Sequence, residues 1–182
     1  LKRLQSAKEY NTPLPDPIVT HDIHNYDCDN IINQIHWLGL NNHPDSLVKI
    51  IFIPSYLTGN DGLLNMPYYD VLVGMDATAF PSYYEPWGYT PLESVAFGIP
   101  TVTTQLSGFG QWVMSHEAGS LQDTGVQVLH RYDGNFVGVS QQLADTIVEL
   151  SKMDKKSKSG IDRAASRLAA EAEWKNFIVY YE

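Results

Sequence analysis

A single cysteine, Cys28, excludes any disulfide within the chain and fits a reducing compartment, so the expectation is a cytoplasmic protein. Basic residues are scarce: 12 Lys and Arg against 21 Asp and Glu give a formal charge of -9 over 182 residues. A nucleic-acid binder needs clustered cations against the phosphate backbone, so that class is excluded. No apolar run approaches the roughly 20 residues of a membrane-spanning helix. The opening LKRLQSAKEY lacks the apolar stretch of a secretory signal. It reads as a helix entered midway, which makes residues 1–14 an expected helical lead-in from an upstream half. What remains is a chain with 43% hydrophobic residues, enough for a real core, expected as one domain over 15–182.

Strands alternate with helices along it. PIVTH (17–21), LVKIIFIP (47–54), ATAFPS (77–82), IPTVTT (99–104) and GVQVLH (125–130) read as strands. Residues 27–40 have helical spacing with Ile31, Ile35, Trp37 and Leu38 apolar, and Asp27 or Asp29 suits the N-cap. Further helices are expected over 67–75, 91–97, 137–152 and 154–174. The alternation predicts a Rossmann-like α/β fold, with a mainly parallel sheet of about five or six strands and helices on both faces.

The stretch YYEPWGYTPLESVAFGIP (83–100) carries the chemistry. Thr90-Pro91-Leu92-Glu93 has the form of a helix start, with Thr90 at the N-cap, Pro91 at the first helical position and Glu93 where a capping box wants its acid. In a doubly wound sheet, a strand end feeding a helix is where ligands bind, and the helix start offers N–H groups to a phosphate. By its residues alone, Glu93 is a capping acid or a ligand, Glu85 a loop acid or a ligand, and Trp87 and Tyr89 loop packing or a pocket wall. Ser107-Gly108-Phe109-Gly110 follows the next strand. Its glycines suit either a plain turn or a close approach of backbone to ligand.

Glu85 and Glu93 form an E-x7-E pair, and the run FPSYYEPWGYTPLE with GIPTVTTQLSGFG resembles the eukaryotic-type glycogen synthases, a retaining glycosyltransferase family. The resemblance implies the carboxyl-terminal, donor-binding half of a two-domain GT-B enzyme. It transfers glucose from UDP-glucose to the 4-OH end of an α-1,4-glucan such as glycogen, with retention. It further implies that Glu85 contacts the donor glucose and Glu93 the ribose hydroxyls. Trp87 and Gly88 would present backbone groups to the sugar, Tyr89 and Thr90 would meet the diphosphate, Tyr68 would stack on the uracil, and Ser107 and Gly108 would line the site. No divalent metal or other cofactor is implied, and the full-length form is a possible homo-oligomer. The family needs basic residues against the phosphates, yet between Arg3 and Arg131 only Lys8 and Lys49 occur. The chain alone is therefore expected to be inactive. A GT-B enzyme with another acceptor or donor base, and a noncatalytic nucleotide-sugar-binding module, stay open beside this reading.

Three further signals weigh less. Asp27-Cys28-Asp29 spells the D-x-D of metal-dependent transferases, but it opens a helix, where aspartate caps. His21, Asp22 and His24 lack the spacing of a defined metal site. Six of the 12 basic residues lie between Lys152 and Arg167. The resemblance places an arginine-rich helix for glucose 6-phosphate here, with basic character kept at Lys155, Lys156, Lys158 and Arg167. Ser, Gly, Ala and Asp replace several of the family's arginines, which favours a solvated face.

Overall fold

The computed structural model describes residues 18–116 and 120–180, without the side chain of Tyr180. The lead-in expected over 1–14 lies outside the described residues. Two compact units divide between Val71 and Leu72.

In the first unit, helix α1 (Asn30–Trp37) starts at Asp29, whose carboxylate accepts from the N–H groups of Ile31 and Ile32 at 2.9 and 3.0 Å. The second aspartate of the D-x-D is therefore a cap. The helix buries Ile32 and Ile35, while Ile31 and Trp37 of the expected apolar face are exposed. Neither strand expected over 17–21 and 47–54 forms a ladder; a single parallel bridge, Val19 with Phe52, joins them. The reason lies in Asn42. Its side-chain amide donates to Ile50 O at 2.6 Å and accepts from Ile50 N–H at 2.7 Å, so it takes the groups a neighbouring strand would pair. The loop 59–66 is closed by an antiparallel bridge between Thr58 and Pro67. Inside it, the Asp61 carboxylate accepts from the N–H groups of Leu63, Leu64 and Asn65. The short helix α2 (Tyr68–Leu72) follows.

The second unit holds the sheet. Three parallel strands, β1 (Thr78–Ala79), β2 (Thr101–Thr104) and β3 (Val126–Leu129), lie in that order. Thr78 pairs with Thr101, and Thr101 to Thr104 pair with Val126 to Leu129. The described residues thus give three strands rather than five or six, because the first two expected strands did not form a ladder.

Helices cover both faces, as the alternation predicts. On one face Val126 and Val128 pack with Val95 of α3 (Tyr89–Ala96), Phe109 and Val113 of α4 (Gly108–His116), and Ala165 and Leu168 of α7 (Lys155–Glu171). On the other face Val102 and Leu129 pack with Val139 and Leu143 of α6 (Phe136–Lys152). The fully buried β2 would carry a desolvation cost for its threonines, but their hydroxyls are bonded. Thr101 donates to Ile99 O at 2.9 Å, and Thr104 donates to Ser82 O at 2.8 Å. A four-residue helix α5 (Leu121–Thr124) ends at Gly125, whose φ of 72° only glycine adopts easily. The last expected helix, over 154–174, ends at Glu171, and a short α8 (Trp174–Phe177) follows it. Among the described residues no helix is long and apolar enough to cross a membrane.

Candidate functional site

All three strands deliver the chain to one edge of the sheet: β1 into the loop 80–88, β2 into the turn 105–107, β3 into the loop 130–135. This carboxyl edge of a parallel sheet is where such folds bind ligands.

The first loop is laced to the turn beside it. The Glu85 N–H donates to Leu106 O at 3.3 Å, the Gly108 N–H to Glu85 O at 3.1 Å, and the Phe109 N–H to Trp87 O at 2.6 Å. The indole of Trp87 anchors the loop from below, with its centroid 6.1 Å from Phe109, 6.2 Å from Trp112 and 5.6 Å from Phe177. Trp87 is thus a packing residue whose backbone holds the loop, while Tyr89 is 70% exposed. Glu85, two residues before Trp87, is half-buried.

The helix start differs from the one the sequence predicts. The α3 N-cap is Gly88 at φ 108°, two residues before Thr90, and no side chain caps it. Gly88 can take this left-handed backbone, and its carbonyl accepts from the Leu92 N–H at 3.3 Å. Pro91 then falls within the first turn, where a missing N–H has no intrahelical partner to lose. Glu93 lies in the second turn, too far along to reach back to the N-cap amide, so the capping box does not form. Glu93 is half-buried, one helical turn from the exposed Tyr89 and Thr90. The N–H groups of Tyr89 and Thr90 belong to the set that a helix leaves without internal acceptors.

Ser107 is 1% exposed. Its hydroxyl donates to Thr104 O at 2.9 Å and accepts from the Gly110 N–H at 3.0 Å, so the side chain fastens the turn. Gly108 and Gly110 leave room for the protein's own backbone. A Cβ on Gly108 would lie under 3.0 Å from Pro86 O and 3.2 Å from Trp87 Cα, and one on Gly110 would collide with Thr104 O. The helix α4 that begins here escaped the sequence reading, since two glycines at its start look like a turn.

Sequence reasoning also missed the third loop. The Gln105 amide donates to Arg131 O at 2.6 Å and accepts from Arg131 N–H at 2.7 Å. The Arg131 guanidinium donates to Pro81 O and stands 3.4 Å over the Tyr83 ring. The one available signal was charge: Arg131 is the first cation after Lys49.

The remaining expected residues belong to other elements. Tyr68 opens α2 in the first unit, where its ring is 5.4 Å from that of Tyr69. Lys155 and Lys156 are exposed at the α7 start. Lys158 pairs with Asp76, and Arg167 donates to Asp123 O at 2.8 Å. His21 bonds Thr20 Oγ1 at 2.7 Å and Asp61 O at 2.8 Å. Among the described residues no three His, Cys, Asp or Glu side chains converge on a metal site.

The family model described as glycogen synthase matches residues 1–182. Over 180 residues, 99% of this chain, it is 34% identical to the glycogen [starch] synthase of Neurospora crassa, of which it covers 25%. It is 33% identical over 181 residues to glycogen [starch] synthase isoform 2 of Saccharomyces cerevisiae, covering 99% of this chain and 26% of that one. It is 33% identical over 166 residues to the human liver glycogen [starch] synthase, covering 91% and 24%. The chain thus spans about a quarter of the length of the curated relatives it matches.

Proposed function

This chain belongs to the glycogen synthase family, and from that premise we propose that it forms the donor-binding, carboxyl-terminal half of a retaining GT-B glucosyltransferase in the cytoplasm. The donor is UDP-glucose and the acceptor the 4-OH end of an α-1,4-glucan. Glucosyl transfer belongs to the whole protein; the role of these residues is to hold the donor.

One observation carries the reading. The loop bearing Glu85 and the helix bearing Glu93 meet at the carboxyl edge of a parallel sheet, tied there by the Gly108–Glu85 and Phe109–Trp87 bonds. Glu93 accepts from the ribose hydroxyls through charge-assisted bonds. Glu85 faces the donor glucose, with the backbone at Trp87 and Gly88 beside it. The N–H groups of Tyr89 and Thr90 meet the diphosphate, where the helix dipole favours negative charge as the leaving group departs. Tyr68 stacks on the uracil. Ser107 and Gly108 hold the wall. No metal is required. The basic stretch at Lys155, Lys156, Lys158 and Arg167 is a solvated face, since Lys158 and Arg167 have partners within the fold.

The test is transfer of label from UDP-glucose to glycogen by the full-length protein. Amylase-sensitive product is expected, with Glu85→Gln lowering the rate on the order of a hundredfold. No transfer from UDP-glucose, or a Glu85→Gln variant as active as the parent, would overturn the assignment.

A further inference from the structure

We propose that Arg131 is a positioning residue, the clamp that holds the Glu85 loop in place from two strands away. The strand order is β1-β2-β3, so Arg131, just past β3, reaches over the end of β2 to the loop that follows β1. Each part of the residue has a task. Its main chain is held on both sides by the Gln105 amide, at 2.6 and 2.7 Å, which fixes where the side chain starts. Its guanidinium donates to Pro81 O and stands over Tyr83, 3.4 Å from the ring centroid. Pro81 and Tyr83 flank Ser82, whose carbonyl accepts from Thr104 on β2 at 2.8 Å. Three consecutive residues are thereby pinned, and Glu85 follows two positions later.

The chemistry of the pairing is specific. A guanidinium is planar and always charged, so it can donate in its plane and stack through its face at once. A lysine ammonium has no planar face to stack and makes the weaker pairing. No carboxylate pairs with Arg131 among the described residues, so its contacts are the carbonyl and the ring. Its side-chain bond and ring contact are to Pro81 and Tyr83, so its effect on donor binding passes through the loop.

This inference rests on the donor-site reading, and its test separates the two. Hydrogen exchange of the ligand-free, full-length protein reads the loop directly through the amides of Glu85, Gly108 and Phe109. In Arg131→Ala these three amides are expected to exchange about tenfold faster, while the Gln127 and Leu129 amides, which face β2 in the ladder, keep their protection. Arg131→Lys is expected to fall between, and Tyr83→Leu to loosen the same three amides. If Arg131→Ala does not fold, those two variants carry the test. In turnover, the KM for UDP-glucose is expected to rise about tenfold in Arg131→Ala with the KM for glucan unchanged. Unchanged exchange at the three amides, or an equal rise across β3, would overturn the clamp. Failure of the parent protein to use UDP-glucose would overturn the donor reading and leave the exchange result to judge Arg131.

Discussion

Replacing Gly108 by alanine sets local propensity against tertiary contact, with opposite signs. Gly108 begins helix α4, and alanine in a helix is favoured over glycine by about 1 kcal/mol. Against that, its Cβ would lie under 3.0 Å from Pro86 O and 3.2 Å from Trp87 Cα, both backbone atoms that no rotamer change can move. Overpacking of this kind costs about 1–3 kcal/mol. Shifting the loop also strains the Gly108–Glu85 and Phe109–Trp87 bonds, at 3.1 and 2.6 Å. Each is worth about 0.5–1.5 kcal/mol. The net expectation is a loss of about 1–5 kcal/mol. Urea denaturation measures it, with Gly160→Ala as the control. Gly160 lies inside α7 with nothing within 4 Å of its Cβ, and should gain about 0.5–1 kcal/mol. Calorimetry with UDP-glucose is expected to show affinity reduced tenfold or more in Gly108→Ala alone. If Gly108→Ala is as stable as the parent and binds donor equally, the close packing of the two loops is not what shapes the site.

Other expectations follow from single contacts. Glu93→Gln should change stability by less than about 1 kcal/mol, because glutamine keeps the length and hydrogen-bonding reach of the side chain, while UDP affinity falls several-fold by calorimetry. Gly125→Ala should be severely destabilising in thermal melts, since φ is 72° and its Cβ would stand 2.5 Å from Ala165 Cβ on the α7 side of the core. The N–H and hydroxyl of Ser157, helped by the Lys156 N–H, hold the Asp154 carboxyl below the ordinary 3.8. A folded-state pKa below the unfolded one gives stability that is present above pH 3.8 and lost as pH falls through the folded value. The Ser157 amide signal should therefore report fraying of the α7 start only below pH 3.8, and fraying that begins near neutrality would contradict the cap.

The strands at 101–104 and 126–129 are legible because β-branched residues run between turn signals, and the helices near 136–152 and 155–171 because their apolar spacing is long. Local chemistry also offered Asp27 or Asp29 as a cap, and Asp29 is the one. It misplaced the α3 start, since Thr-Pro is a stronger local signal than a glycine whose use depends on a left-handed φ. Helix α4 was hidden by glycines whose need arises from the close approach of Pro86, from another loop, and of Thr104. The strand at 47–54 failed because the Asn42 amide bonds Ile50, an interaction that hydrophobic patterning does not register. The Arg131–Pro81 contact spans 50 residues, so no spacing rule announces it. At the site, the pattern named Glu85 and Glu93; the geometry assigned Trp87 and Ser107 to holding them.

The central claim is that the edge bearing Glu85 and Glu93 binds a nucleotide-sugar donor. A crystal structure of the full-length protein with UDP tests it most directly. The account predicts the diphosphate at the amides of Tyr89 and Thr90, and ribose hydroxyls within hydrogen-bond distance of the Glu93 carboxylate. UDP bound elsewhere, or an empty carboxyl edge at saturating UDP, would contradict it.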